Sequence, residues 1–172
     1  MWVLLSLALA GDPEPPSCPA LARLPAGRVS VAWVSPMGQT VGADTSLAVV
    51  RTSDLRSWLA AEKPTVGRML QGLGMRRRYT DPKQPYKVTI FEVDVDALCR
   101  PVGDRAEGED ASGLPACAER FGRSTRAYPG CGTLVDQADG DPSLDVFRVT
   151  WRDAVRSGFC LFPAERFVSE GT

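Results

Sequence analysis

Apolar and polar residues alternate along RVSVAWV (28–34), placing Val29, Val31 and Trp33 on one face, which is the period-two pattern of a strand. A polar stretch, SPMGQTVGADT, separates it from SLAVVRT (46–52), whose short apolar run predicts a buried strand. The period then lengthens. Leu55, Trp58 and Leu59 share one helical stripe, with Thr52 or Ser53 placed to cap the helix and Pro64 to end it. Val66, Met69, Leu70 and Leu73 recur at i, i+3, i+4 and i+7, predicting a second helix from Thr65 to a stop at Gly74. Gly67 and Gly72 inside it lower its intrinsic propensity.

YKVTIFEVDV (86–95) carries the clearest strand pattern, and its phase slips. Tyr86, Val88 and Ile90 lie on one face, then Phe91, Val93 and Val95 on the other. A bulge or a change of buried face produces such a slip. LDVFRVTW (144–151) repeats it, with Leu144 and Val146 followed by Phe147, Val149 and Trp151. The shared irregularity predicts that the two strands are neighbours, with Glu92, Asp94 and Asp96 opposing Arg148, Thr150 and Arg152 across an antiparallel pair. Between them, LPACAERFG predicts a short helix after the acidic loop PVGDRAEGEDASG. SGFCLFPAERFV predicts a last strand near 158–162 and a helical turn after Pro163. Strands and short helices without a regular βαβ rhythm point to an α+β fold: one small domain, residues 28–172, built on a mostly antiparallel sheet.

Composition narrows the setting. Residues 1–10 open with the apolar run Trp2 to Ala10, ending in Ala8-Leu9-Ala10, the small-x-small form of a signal-peptidase site. They read as a signal peptide, with residues 11–27 as a Pro-rich tether and lead-in, and a secreted or periplasmic destination. No later run is long enough to span a bilayer. The net charge of -1 lacks the positive excess of a nucleic-acid binder. Cys18, Cys99, Cys117, Cys131 and Cys160 make an odd set that, in an exported chain, implies two disulfides and one spare thiol. The expected pairs are Cys99 with Cys117 and Cys131 with Cys160. No C-x-x-C spacing supports zinc, and nothing calls for a cofactor.

The chain contains no histidine. That removes Ser-His-Asp and Cys-His nucleophiles, H-E-x-x-H metal sites and histidine general bases. Carboxylates, an arginine-activated cysteine or a bound metal remain as chemical options. CAERFGRS, with Cys117, Arg123 and Ser124, resembles the signature loop of cysteine-dependent phosphatases, where a thiolate attacks phosphorus and an arginine cradles the phosphate. Ala116 stands where that family usually has histidine, and Arg120 where glycine is usual. Against the phosphatase role, Leu114, Cys117, Ala118 and Phe121 fall on one helical stripe, which makes Cys117 a buried structural thiol.

Glu92, Asp94 and Asp96 form a carboxylate stripe that serves a hydrolase or, more simply, a solvated face paired to arginines. Asp136, Asp139, Asp141 and Asp145 miss the EF-hand spacing, because Val135 and Gln137 occupy ligand positions, and read as turn chemistry around Pro142. Arg76, Arg77, Arg78 and Tyr79 form the leading candidate patch for an anionic envelope or extracellular component. Cys131, between Gly130 and Gly132 and without a histidine to activate it, reads as a stapled loop residue. The expected function is an exported, non-enzymatic binding or structural module. The alternative is an extracytoplasmic hydrolase using the carboxylates Glu92, Asp94 and Asp96 or, second to them, the phosphatase-like loop of Cys117 and Arg123.

Overall fold

A computed structural model describes residues 24, 26–75, 84–100, 117, 140, 141 and 143–171. Five strands, β1 (Arg28–Pro36), β2 (Ser46–Arg51), β3 (Tyr86–Asp94), β4 (Val146–Thr150) and β5 (Phe159–Pro163), form one sheet in the order β4-β2-β1-β3-β5. Every neighbouring pair is antiparallel. Four short helices among the described residues complete the α+β architecture: α1 (Thr52–Glu62), α2 (Val66–Gly72), α3 (Trp151–Ala154) and α4 (Ala164–Glu170). Among the described residues, no helix is long and apolar enough to cross a membrane.

The phase slip in β3 has a simple cause. Its register with β1 runs unbroken from Arg28↔Asp94 to Pro36↔Tyr86, so there is no bulge. Instead the sheet is buried on both faces, over different halves of its length. Tyr86 and Val88 join Ala32, Val34 and Val50 beneath α1, α2 and α4, where Leu55, Trp58, Leu59, Met69, Leu70 and Phe167 complete one core. Phe91 and Val93 join Val31, Trp33, Leu47 and Val49 in a second core on the opposite face, closed by Leu98 and Ala154. β4 spans the same two cores, Val146 entering the first and Phe147 and Val149 the second. Each fully buried side chain of this size contributes about 1.5–3 kcal/mol.

That shared pattern does not make β3 and β4 neighbours. β1 and β2 lie between them, so the expected pairing of the acidic stripe with Arg148, Thr150 and Arg152 is corrected. Two strands show the same slip because both cross the same pair of cores, which requires only membership of one sheet. Each charge finds a partner nearer at hand. Arg148 donates to the Ser46 hydroxyl at 2.7 Å on β2, Arg152 pairs with Asp44 at 2.9 Å, and the Thr150 hydroxyl caps α3 by accepting from the Asp153 amide.

Local signals explain the helices. β2 passes into α1 without a loop, so Arg51 occupies the cap position and Thr52 is already helical, correcting the expected cap. The Thr52 hydroxyl instead accepts from Ser30 at 3.1 Å. α1 ends at Lys63, in the left-handed region at φ 45°, just before Pro64. Thr65 caps α2 by accepting from the Arg68 amide, as its sequence predicts. Gly74, at φ 72°, then reverses the chain, with its amide on the Gln71 carbonyl and that of Met75 on the Leu70 carbonyl. This Schellman arrangement needs the left-handed residue that glycine supplies at least cost. Gly72 serves packing: a Cβ there would lie 2.9 Å from the Trp58 ring.

The outer side of β4 is covered. Cys99 exchanges both backbone hydrogen bonds with Arg148, at 2.9 and 3.0 Å, and its sulfur lies 2.15 Å from that of Cys117, a disulfide. The Cys117 amide also donates to the Arg100 carbonyl at 2.8 Å, so Cys117 is tied to the Cys99–Arg100 pair twice. Cys160 stands on β5 as a free, exposed thiol, which corrects the expected Cys131–Cys160 pair. It lies mid-strand on β5, opposite Ile90, with its thiol open to solvent. Cys18 and Cys131 lie outside the described residues, as do residues 1–23 and the remainder of the predicted helix around Cys117.

Candidate functional site

The pairing of β1 with β2 is confined to Val31↔Arg51 and Ala32↔Val50, although both strands continue past those residues. Over this fork, on the face that carries α1, α2 and α4, lies a cavity of about 250 Å³. Ala32, Val34 and Val50 form its apolar floor. Leu73 and Met75 form one wall, brought there by the Schellman reversal at Gly74. Gln39 and Ser46 are its polar groups. Gln39 is held by a turn in which its amide donates to the Pro36 carbonyl, and Met37 anchors that turn by donating to the Pro85 carbonyl at 2.8 Å. The space is smaller than the roughly 300–1,000 Å³ of a drug-sized site and suits a single apolar group.

Sequence reasoning did not find this site. Its residues lie on strands and helix ends far apart in the chain, and each reads as ordinary core or turn. The one signal available was Gly74, since a helix stop places the next residue, Met75, back against the helix it ends.

The predicted site residues fall elsewhere. Arg76, Arg77, Arg78 and Tyr79 lie outside the described residues, as does Arg123. Glu92 is exposed and registers with Ser30, and Asp94 pairs with Arg28 at 3.2 Å, with both side chains more than half exposed. Such a surface pair contributes at most about 1 kcal/mol. Asp96 has left the strand for the 3-10 turn Val95–Ala97, so the three carboxylates do not share a face. Among the described residues, no group of three acidic, histidine or cysteine side chains is placed to hold a metal ion.

The aspartate-rich loop is structural where it is described. The Asp141 carboxylate accepts from the Trp58 indole at 2.9 Å, and from the Ser143 amide and hydroxyl at 2.9 and 2.6 Å, while its own amide donates to the Gly72 carbonyl. It clasps the approach to β4 onto α1 and α2, in the Asx-turn manner that its place before Pro142 predicts. Burial by itself would raise its pKa. The hydrogen bonds from Ser143 and Trp58, with the nearby charge of Arg68, outweigh that and hold the carboxyl below its ordinary value of 3.8. A depressed carboxyl stabilises the fold above the unfolded pKa, and that stability is lost as the pH falls through the lower folded value. Asp141→Asn is therefore expected to be less stable than the parent by about 1 kcal/mol at pH 7 in urea melts, solvent screening included. The difference should begin to shrink as the pH nears 3.8 and vanish only below the lower folded value; a pH-independent gap would assign the loss to shape instead of charge.

Comparison with known proteins finds no matching family model, no similar curated protein and no similar solved structure.

Proposed function

We propose that this protein is an extracytoplasmic, non-enzymatic binding module that seats an apolar group of an anionic partner over the fork of β1 and β2. The observation that carries the reading is the cavity itself, with its aliphatic floor and wall set beside the polar side chains of Gln39 and Ser46. Nothing in that lining is acidic, basic or nucleophilic enough for acid–base or covalent chemistry. The cationic run Arg76-Arg77-Arg78 with Tyr79 begins one residue after Met75 in the chain, which favours a ligand with a negative charge beside its apolar part. Export is supported by the apolar leader and by a Cys99–Cys117 cross-link suited to an oxidising compartment.

The hydrolase alternative draws less support from its two centres. Cys117 is bonded to Cys99 and has no thiolate to offer, Glu92 is exposed, Asp94 pairs with Arg28, and neither carboxylate lines the cavity.

Octanoate serves as the probe, with octanol as its neutral counterpart. On methyl-labelled protein, octanoate is expected to produce saturable shifts at Val34, Val50 and Met75. Ala48→Phe, which fills the cavity from an exposed position, should weaken that binding about tenfold, the equivalent of 1.4 kcal/mol. Reversing the charges of Arg76, Arg77 and Arg78 should weaken octanoate and leave octanol unchanged. Absence of saturable shifts at those methyls overturns the reading.

A further inference from the structure

The fork between β1 and β2 is graded in polarity along its length. Its tip is apolar: Ala32 registers with Val50 at the last paired position, and both line the cavity. Had the pairing continued in register, Pro36 would meet Ser46, so Ser46 marks the wide end. The turn that carries Gln39 follows β1 at that same end. Strand alternation puts Ser46, Ala48 and Val50 on one face of β2, and all three line the cavity. The strand rise separates Ser46 from Val50 by about 13 Å.

Arg148 conditions the hydroxyl at that wide end. It registers with Ala48 across the β2–β4 pair, and its Nε donates to the Ser46 hydroxyl at 2.7 Å. The Ser46 oxygen thus accepts a charge-assisted bond, while its proton meets no acceptor among the described residues. A guanidinium on the oxygen polarises the hydroxyl as a donor and opposes the approach of a second cation. Ser46 lines the cavity and Arg148 does not, so the cation acts there through the hydroxyl.

We infer that Ser46 is the head-group donor of the cavity and Arg148 the positioning residue behind it, and that the ligand is a carboxylate on an alkyl chain. One carboxylate oxygen accepts from the Ser46 hydroxyl at the wide end, and the chain runs along the fork toward Ala32 and Val50. The Gln39 amide supplies a donor for the second oxygen. These donors match a carboxylate and fall short of what the three oxygens of a phosphate require. An alkylammonium of the same length is rejected, because it brings donors and a positive charge against a donor backed by a cation. The inference rests on the reading of the cavity as a binding site and narrows its ligand from an anion with an apolar group to this one class.

The test titrates the intact, methyl-labelled chain with octanoate, octylammonium and xenon, and follows the shifts of Val34, Val50 and Met75. Xenon fills apolar space without hydrogen bonds, so it reports the cavity alone. Ser46→Ala should weaken octanoate at least about fivefold and change xenon by less than about twofold. Ser46→Thr, which restores the hydroxyl, should bring octanoate back to within about threefold of the parent. Arg148→Met should lower the preference for octanoate over octylammonium at least about tenfold, whereas a purely structural role would weaken both alike. Equal octanoate binding by the parent and Ser46→Ala, joint loss of octanoate and xenon, or an unchanged preference in Arg148→Met overturns the inference and leaves the cavity reading standing. A parent that shows no saturable octanoate shifts overturns both.

Discussion

Replacing Asp145 by alanine is expected to lower the unfolding free energy by about 3–5 kcal/mol, measured by urea denaturation. Asp145 and Arg100 form an ion pair at 3.7 Å whose side chains are only 9% and 3% exposed. The Arg100 guanidinium also lies over the Phe147 ring, 5.4 Å from its centre, so it is packed inside the second core instead of reaching for water. Removing the carboxylate takes a counter-charge from a buried cation, so its desolvation is less well offset. The pair itself need not be worth that much. Exchanging both residues for apolar ones, as in Arg100→Met with Asp145→Leu, should recover part of the loss, because much of the penalty belongs to the buried charge that has lost a counter-charge. A loss below about 1 kcal/mol for the single variant would show that water reaches Arg100 and that this part of the core is open.

Removing the Cys99–Cys117 disulfide, by changing both cysteines to alanine, is expected to cost about 3 kcal/mol through the entropy of an unfolded chain no longer looped. The separation of 18 residues sets that figure, since closure entropy grows only with the logarithm of loop length. Cys99 is fully buried and hydrogen-bonded to β4, so some packing is lost as well. Treating the parent with reductant should reproduce most of the effect in the same melts. If the double variant and the parent unfold at the same denaturant concentration, the cross-link contributes nothing, and the support it lends to an oxidising compartment goes with it.

Much of this fold was legible because its strands and helices carry their own punctuation. The helical stripes of Leu55, Trp58 and Leu59 and of Met69 and Leu70 both became core, and Gly74 ended α2 where a left-handed residue was needed. The slips in β3 and β4 correctly signalled a change of buried face. Their cause is that a sheet covered on both sides shifts its burial from one face to the other along its length. The inference that the two strands were adjacent failed on the same fact, since any strand crossing both cores shows the slip. The carboxylate stripe misled for a related reason: alternation in sequence assigns side chains to a face, but not to the strand that face will meet.

The candidate site was far less readable. A cavity over a strand fork depends on where two strands stop pairing, and that is decided by their neighbours. Val34 and Val50 look the same in sequence whether they line a cavity or fill a core. Likewise Cys160 reads like any cysteine that seeks a partner, until its place on an edge strand is known.

Local chemistry, written residue by residue, decided the class of elements, their ends, the absence of histidine chemistry and the presence of cysteines to spare. Those properties depend on neighbours within a few positions, which is the range over which backbone sterics and side-chain periodicity act. Tertiary structure alone decided strand order, the partner of each charge, which thiol stayed free and where the sheet opens a cavity. Each of these is a competition among distant segments for the same buried surface, and its outcome depends on all of them together.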